Sequence, residues 1–325
     1  MNKKKVIIDC DPGIDDSLAI MLALSSKEIE VVGITIVSGN VINEKGYKNA
    51  LKVLKLMDRL DVPVYMGEAY PRKRELITAE DTHGEDGLGE TNIPEIDLEV
   101  KRGAVDFILK VASQEELSII ALGPFMNLAK ALEKDKDTFH KIKEIVSMGG
   151  AFKSFGNCSQ VAEFNYWVDP DSVEYVLHNS KVPLTMVTLD VTREIVLTPN
   201  LREMIKQFHD EKGDFIHDIT RFYVDFHWKQ ERTLGCVIND PLAVAYFIDR
   251  TLCSGSEYYV DIVTEGKAIG GLLVDEGDFY RKNSNCLVLT KVDSKRFMQM
   301  FLKRIFKNNE KDIDIVLNNE KYGLF

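Results

Sequence analysis

The sequence has few of the features that mark secreted or membrane proteins. Its five cysteines among 325 residues include no C-x-x-C pair, so neither a disulfide framework nor a cysteine zinc site is indicated. No apolar run approaches the roughly 20 residues that a membrane-spanning helix needs. The basic cluster Lys3–Lys5 is followed by an apolar run that ends at Asp9, far short of a signal peptide. We therefore expect a reduced, cytoplasmic protein.

Positive charge is also scarce in this sequence. The 41 Lys and Arg residues are outnumbered by 52 Asp and Glu residues, which gives a formal net charge of -11. Nucleic-acid binders usually carry a basic surface, so we expect no nucleic-acid partner and instead a small neutral or cationic ligand. Hydrophobic residues make up 45% of the chain and charged residues 29%, which leaves ample apolar material for a core.

Short β-branched runs alternate along the chain with longer amphipathic segments, which is typical of parallel strands joined by helices. Strands are predicted at Val6–Ile8, Val31–Val37, Val62–Met66, Leu117–Ala121, Ile142–Met148, Leu184–Leu189, Tyr258–Val263 and Leu287–Leu289. Helices are predicted at Asp16–Ser25, Asn43–Leu56, Ala104–Ala112, Asn127–Leu132, Pro170–Leu177, Pro199–Lys229, Asp240–Phe247 and Ser294–Phe306. We expect an α/β protein with an open, mostly parallel sheet and helices on both faces.

No linker or repeat divides the chain. Because it has no Pro- or Gly-rich connecting stretch, residues 1–325 are predicted to form a single domain. The longest candidate loop runs from Pro71 to Pro94, and loops of that length are usually functional or mobile.

Four carboxylates fall within the eight residues Asp9–Asp16, where the first strand should end. Asp15 or Asp16 could simply cap the following helix, but this explains only one or two of the four. Asp9 and Asp11 flank the end of an apolar strand, where like charges cost free energy unless a cation or a shared proton compensates. A hard divalent cation is the simplest compensation, and open sheets bind their ligands at the carboxyl ends of the strands.

The residue types around this turn restrict the choice of metal. Oxygen ligands without His or Cys favour Ca²⁺ or Mg²⁺ over zinc. The segment is not an EF-hand, since the sixth and twelfth positions counted from Asp9 are Ile14 and Ile20 instead of Gly and Glu. The residues alone leave Ca²⁺ and Mg²⁺ open.

The acidic segment reads D-x-D-x-G-x-D-D, and with it the chain resembles the inosine-uridine nucleoside hydrolase family. Further motifs follow in family order over most of the chain: Ser38-Gly39-Asn40, His83-Gly84, Gly87-Leu88-Gly89, Ala121–Pro124, Asn127-Leu128-Ala129, Met148-Gly149-Gly150, Ala162–Asn165, Asp169-Pro170 and Asn239–Ala243. Each later motif alone is weakly specific, whereas their common order is hard to obtain by chance. The resemblance implies an open α/β fold and an enzyme that uses water to cut the N-glycosidic bond of ribonucleosides.

The resemblance also implies a Ca²⁺ site. Its ligands would be Asp11, Asp16, Asp240 and the main-chain carbonyl of Leu122. Asp11 would in addition be the general base, taking a proton from a water that the cation holds. Asp240 precedes Pro241 and would by itself be a natural helix N-cap, a role that is compatible with metal binding.

Ribose recognition is implied for short polar side chains that suit a vicinal diol. They are Asp15, Asn165 and the nearby Asn40 for the 2′ and 3′ hydroxyls, Asn157 and Glu163 for the 5′ hydroxyl, and Met148 as a further substrate-binding residue. Without the motif, Glu163 and Asn165 could be ordinary loop residues that cap the helix starting near Asp169-Pro170. An oxocarbenium-like transition state is expected, so nearby carboxylates would stabilise positive charge on the sugar.

One position departs from the family pattern. In many members a His precedes the last metal-binding Asp and is thought to protonate the leaving base, and here that residue is Asn239. Asn has no titrating proton to donate, so we expect His83 or His227 to supply the acid. Tyr223 lies one helical turn before His227, hence on the same face, and is predicted to contact the substrate.

Two other functions stay open at this point. A Mg²⁺-dependent phosphohydrolase also begins with D-x-D after its first strand, although Pro12-Gly13 does not fit its pattern and Asp15-Asp16 would be unexplained. A non-catalytic nucleoside- or sugar-binding protein that keeps calcium for stability is favoured only by Asn239. The family suggests a homodimer or homotetramer, and the preferred nucleobase is left open.

Overall fold

A mostly parallel sheet runs through residues 3–319, the part of the chain that the computed structural model describes. The strands of this part are β1 (Lys4–Cys10), β2 (Ile29–Ile36), β3 (Val64–Met66), β4 (Leu117–Ala121), β5 (Ile145–Met148), β6 (Leu184–Val187), β7 (Val196–Leu197), β8 (Cys236–Val237), β9 (Cys253–Tyr258), β10 (Val260–Ile262), β11 (Leu272–Val274) and β12 (Cys286–Val292). The main sheet has the order β3-β2-β1-β4-β5-β6-β12-β9, in which only the edge pair β12 and β9 is antiparallel. β7 pairs with β8, and β10 with β11, in two small antiparallel sheets.

Helices cover both faces of the sheet. They are α1 (Ile14–Leu24), α2 (Asn43–Leu56), α3 (Glu80–His83), α4 (Ala104–Gln114), α5 (Met126–Lys134), α6 (Lys136–Phe139), α7 (Phe164–Val168), α8 (Pro170–Asn179), α9 (Leu189–Thr192), α10 (Pro199–Lys206), α11 (Glu211–Glu231), α12 (Asp240–Ile248), α13 (Ser294–Ile305) and α14 (Glu310–Leu317). Among these helices, none combines the length and hydropathy needed to cross a membrane.

The two faces of β1 pack in two separate apolar clusters, because successive side chains of a strand point in opposite directions. Val6 and Ile8 pack in one cluster with residues of α1, α12 and α13, and Ile7 packs in the other with residues of α4, α5 and α8. The predicted fold class, an open and mostly parallel sheet with helices on both faces, is confirmed.

Several predicted boundaries are wrong. At these boundaries the sequence pattern continues past the residue where one strand or helix ends and the next element begins. The predicted strand Tyr258–Val263 is divided between β9 and β10, which belong to different sheets. The predicted strand Leu184–Leu189 ends at Val187, and Leu189 opens α9. Most of β9 was missed because it is an edge strand whose central residues are polar and exposed, so it lacks an apolar face.

The long predicted helix from Pro199 is two helices. Thr198 caps α10 by accepting a hydrogen bond from the amide of Leu201, and Asp210 caps α11 by accepting one from the amide of Lys212. Between them the chain reverses through His209, whose φ of 49° is left-handed. The predicted loop from Pro71 to Pro94 contains the short helix α3, and this places His83 beside the end of β1.

One buried amide joins the ends of three neighbouring strands. Asn127 Nδ2 donates to Asp9 Oδ1 at 2.8 Å and to the carbonyl of Ile36 at 3.2 Å. Its Oδ1 accepts the backbone N–H of Glu68 at 2.9 Å, just after β3. Thr35 also donates to Asp9, and burial raises the pKa of Asp9 to about 7. The carboxyl edge of the sheet is therefore held by these side-chain hydrogen bonds as well as by the backbone hydrogen bonds between strands.

Replacing Asn127 by Ala should lower the free energy of unfolding by about 2–4 kcal/mol, because it leaves two buried groups and one part-buried group without this hydrogen-bond partner. Urea unfolding would measure the change. The control is Asn179→Ala, whose amide donates to the carbonyl of Tyr175 within its own helix and should cost less than about 1 kcal/mol. Equal losses in both variants would contradict a special role for Asn127.

Candidate active site

The turn between β1 and α1 is shaped by hydrogen bonds to Asp16. Its carboxylate accepts the backbone N–H of Gly13 at 2.9 Å and that of Asp11 at 3.3 Å. Asp16 therefore caps the start of α1. Capping was one of the two roles, beside metal binding, that the sequence allowed for it. The same carboxylate accepts the side-chain amide of Asn40 at 2.9 Å, which links this turn to the end of β2.

Asp11 is enclosed by backbone on two sides. Its Oδ2 accepts the backbone N–H of Asn40 at 2.6 Å. A Cβ added at Gly39 would overlap Oδ2, and one added at Gly123 would lie 2.6 Å from Oδ1, so both neighbours must be glycine. Oδ1 itself is buried and has no hydrogen-bond partner within residues 3–319. One oxygen of Asp11 is thus fixed and the other is left free.

The end of β4 and the start of α12 bring two further groups to this site. Carboxylate oxygens of Asp15, Asp16 and Asp240 all lie within 4.8 Å of one another. α12 begins at Asp240 itself, so the prediction that Asp240 is the N-cap is wrong; the N-cap is Asn239, whose side chain does not cap. The carbonyl of Leu122, at the end of β4, accepts a hydrogen bond from Asn165 at 2.7 Å.

Burial makes this cluster electrostatically costly. It raises the pKa values of Asp11 and Asp240 well above their usual range, and neighbouring carboxylates raise them further. For the same reasons the pKa of Asp16 rises to about 7. His83 lies 4.0 Å from Asp15, but burial lowers its pKa, so it supplies no compensating charge at neutral pH. Oxygen ligands with an unpartnered buried oxygen are the donor set that a hard divalent cation fits.

Asp15 is held by the residue that replaces the family His. Its Oδ2 accepts hydrogen bonds from Asn239 Nδ2 at 3.1 Å, from the backbone N–H of Asn239 at 3.3 Å and from the hydroxyl of Tyr223 at 3.2 Å. Asn239 Nδ2 also donates to the hydroxyl of Tyr223 at 3.3 Å. Asn239 therefore orients Asp15 and Tyr223, which a side chain without a titrating proton can do.

The two candidate histidines differ in the nitrogen that carries the proton. His83 Nδ1 accepts the backbone N–H of Ile14 at 3.1 Å, so the neutral ring has its proton on Nε2. His227 Nδ1 lies 2.9 Å from the carbonyl of Tyr223, which can only accept, so His227 holds its proton on Nδ1. Burial lowers the pKa of His227 as well as that of His83. Both rings pack against Tyr223, with ring centroids 5.3 Å and 4.4 Å from it.

The segment before α7 lines the opposite wall. Glu163 caps α7 by accepting the backbone N–H groups of Asn165 at 2.8 Å and Tyr166 at 3.2 Å, and it also accepts that of Gly150 at 2.9 Å. Burial raises the pKa of Glu163 to about 7. The side-chain oxygen of Asn157 accepts the backbone N–H of Phe164 at 2.9 Å. Glu163 is therefore a capping residue, but of α7 and not of the helix that begins at Pro170, whose N-cap is Asp169; the same Glu163 side chain also lines the pocket.

One pocket of about 300 Å³ brings the predicted residues together. It is lined by Asp15, Asn40, His83, Leu122, Met148, Asn157, Glu163, Asn165, Tyr223, His227, Asn239 and Asp240. Asp11 and Asp16 are fully buried next to it. A concave site of this size, with convergent polar groups and shifted pKa values, is typical of a small-molecule enzyme.

Sequence reasoning missed other residues of the lining. Phe226 and Gln230 lie at helical spacing from Tyr223 and His227 on α11, and this periodicity could have identified them. Ile77 and Arg193 lie in segments whose sequence gave no such signal.

Residues 6–299 match the family described as inosine-uridine preferring nucleoside hydrolase. The chain belongs to this family. The pyrimidine-specific ribonucleoside hydrolase RihA of Salmonella typhimurium is 35% identical over 306 residues, which are 92% of this chain and 97% of the relative. The solved Purine-Preferring Ribonucleoside Hydrolase from Gardnerella vaginalis is 33% identical with a TM-score of 0.89, covering 95% of this chain and 100% of that one. An Inosine-Guanosine Nucleoside Hydrolase is 29% identical with a TM-score of 0.85, covering 94% and 99%.

This nucleoside hydrolase is therefore an N-glycosyl hydrolase that acts on ribonucleosides. The predicted family and enzyme class are confirmed, and neither a phosphohydrolase nor a purely binding function is favoured. The family is metal-dependent, and the buried carboxylates at the end of β1 form a candidate site for the metal.

Replacing Gly39 by Ala in this nucleoside hydrolase should abolish most of the activity, because the added methyl group must displace the carboxylate of Asp11. Turnover and circular dichroism would be measured together. Gly103→Ala is the control: its φ of 94° is left-handed, so alanine strains the backbone there, but an added Cβ meets no atom within 4 Å. Its stability should fall while its turnover stays near normal. Full activity in Gly39→Ala would show that Asp11 need not be held in this position.

Proposed function

We propose that this ribonucleoside hydrolase depends on Ca²⁺ and that Asp11 is its general base. The observation that carries the proposal is the buried cluster of Asp15, Asp16 and Asp240, which interacts electrostatically with Asp11, whose Oδ1 is buried and has no hydrogen-bond partner in residues 3–319. Removing several carboxylates from water costs free energy that a divalent cation in their midst would offset. The activity itself is the hydrolysis of a ribonucleoside to ribose and a free nucleobase.

The proposed ligands are the carboxylates of Asp11, Asp16 and Asp240 and the carbonyl of Leu122. All four groups offer oxygen, and the set mixes carboxylates with a main-chain carbonyl, which suits the irregular coordination of Ca²⁺ better than the strict octahedron of Mg²⁺. When bound, Ca²⁺ would position the attacking water and lower its pKa. The close approach of Asp15 to Asp16 and Asp240 makes Asp15 a neighbour of this site.

Asp11 has the arrangement that a general base needs. The amide of Asn40 occupies Oδ2, and the glycines on both sides prevent the carboxylate from turning away. The proton of the water would therefore go to Oδ1. As the bond to the base breaks, positive charge develops on the sugar and the buried carboxylates nearby stabilise it.

The ribose would lie between Asp15 and the segment before α7. Because Oδ2 of Asp15 already accepts three hydrogen bonds, its Oδ1 is the atom offered to the 2′ and 3′ hydroxyls, together with Asn165 and Asn40. The 5′ hydroxyl is assigned to Asn157 and Glu163, whose remaining donor and acceptor positions are not used in capping α7. Met148 completes this wall of the pocket.

Leaving-group activation is proposed for His83. Its proton is on Nε2, the nitrogen that is not occupied by Ile14, so a neutral His83 can donate a hydrogen bond that stabilises the negative charge on the departing base, and the proton that the base gains comes from water. His227 in its neutral form presents an acceptor instead, which suits recognition of an N–H group on the base. Asn239 takes no proton-transfer role and keeps Asp15 and Tyr223 in place.

The remaining assignments concern the substrate range and assembly. Relatives of similar identity are named pyrimidine-specific and purine-preferring, so both classes of ribonucleoside are candidate substrates. We propose a cytoplasmic homodimer or homotetramer without a nucleic-acid or membrane partner.

Chelation of the metal should abolish the release of ribose from a panel of inosine, uridine, cytidine and nicotinamide riboside, and Ca²⁺ should restore it better than Mg²⁺.

Asp11→Asn should lower kcat by about a hundredfold or more on every substrate, since the amide cannot accept the proton. Free ribose would be assayed directly. Asp9→Asn provides a matched control, because Asp9 is held by Asn127 and Thr35 and is neither a proposed metal ligand nor the proposed base.

Two outcomes would contradict this mechanism. Turnover that survives chelation would remove the metal from the reaction. A rate for Asp11→Asn equal to that of the wild type would remove Asp11 as the base.

His83→Gln should lower kcat more than KM, and more strongly than His227→Gln, because only His83 holds a proton on its free nitrogen. The loss should be greatest for bases that leave poorly without protonation, and general acids contribute about a hundredfold or more. Steady-state kinetics on the same panel would measure it. Unchanged turnover in the double variant would exclude both histidines as the acid.

A further inference from the structure

A second cluster of metal-binding side chains lies where α8 meets the β10–β11 hairpin. Glu174 and His178 are one turn apart on α8 and therefore share a face. Asp261 reaches them from β10. One ligand atom from each of the three residues lies within 4.8 Å of the other two, and none of the three lines the active-site pocket.

Asp261 is held in a fixed orientation. Its Oδ1 accepts the backbone N–H of Ile262 at 2.9 Å and lies 3.1 Å from His178 Nε2. Its Oδ2 accepts the hydroxyl of Tyr259 at 3.2 Å. Carboxylates that bind metals are commonly oriented by such outer hydrogen bonds.

A simple His–Asp ion pair does not account for Glu174. This carboxylate has no hydrogen bond or ion pair with any other residue between positions 3 and 319, although it adds a second negative charge beside a single imidazole. Two lysines attract these carboxylates, but each has its own partner: Lys73 near Glu174 pairs with Asp171, and Lys282 near Asp261 donates to the hydroxyl of Tyr259. Two carboxylates this close favour a shared cation.

We propose that Glu174, His178 and Asp261 bind a divalent ion of the zinc class. One imidazole nitrogen with two carboxylate oxygens suits Zn²⁺ better than Ca²⁺ or Mg²⁺, which prefer oxygen alone. Three protein ligands leave the fourth tetrahedral position to water.

The bound ion would connect the hairpin to α8. Gly271 at the start of β11 forms a β-bridge with Ala162, directly before Glu163. The site therefore ties together two elements that flank the substrate-binding segment without contacting the substrate. We expect it to raise the melting temperature and to leave calcium-dependent turnover unchanged.

The test is a calorimetric titration of Zn²⁺ into the protein saturated with Ca²⁺. Wild type should bind one more Zn²⁺ ion than His178→Ala, and Zn²⁺ should raise the melting temperature only where this ion binds. His209→Ala is the matched control, because His209 is also exposed but lies in the turn before α11, and it should behave as wild type.

Glu174→Gln and Asp261→Asn preserve side-chain shape and should each weaken this Zn²⁺ affinity by about tenfold or more. Normal hydrolysis by all three site variants would show that they are folded. The proposal is overturned if wild type and His178→Ala bind Zn²⁺ with the same stoichiometry and affinity, or if Zn²⁺ stabilises both equally. Either result is independent of the mechanism of hydrolysis.

Discussion

Crowding of negative charge at the end of β1 is the constraint on which the rest of the site depends. Asp11, Asp15, Asp16 and Asp240 are all buried, and mutual repulsion adds to the cost of removing them from water. The fold offsets part of this cost locally: main-chain amides bind Asp11 and Asp16, and Asn239 with Tyr223 binds Asp15. What remains uncompensated is a negative potential at the floor of the pocket, which favours a metal ion and a cationic transition state alike.

The parallel sheet makes this crowding possible. Its parallel strands end at one edge, so residues distant in sequence meet there without any long excursion of the chain. Asn127 fastens that edge by bridging β1, β2 and Glu68, just after β3. Glycines at positions 39 and 123 allow backbone to approach Asp11 more closely than any side chain would permit. Local hydrogen bonding and missing side chains thus contribute as much to the geometry as the acidic residues themselves.

Sequence patterns predicted the elements that have a continuous apolar run or a clear helical period, and missed most of the polar edge strand. β1 has such an apolar run and α2 and α13 have helical periodicity, whereas β9 has polar, exposed central residues. Most of the residues that gather in the pocket were implied by the resemblance to the nucleoside hydrolase family. Arg193 and Ile77 were not, because each reaches the pocket through loop geometry that periodicity does not encode. The sequence also could not show which nitrogen of His83 carries the proton, because this depends on one hydrogen bond from the amide of Ile14.

The position of His83 on a connecting segment separates two tasks of the site. His83 is carried by the short helix inside the 71–94 segment, and its ring is held by the amide of Ile14 at the start of α1. In its proposed role, His83 reaches the departing base from a segment that connects strands, whereas the acidic cluster lies where strands end and helices begin. Changes in the 71–94 segment would then alter the choice of nucleobase and leave the acidic cluster intact.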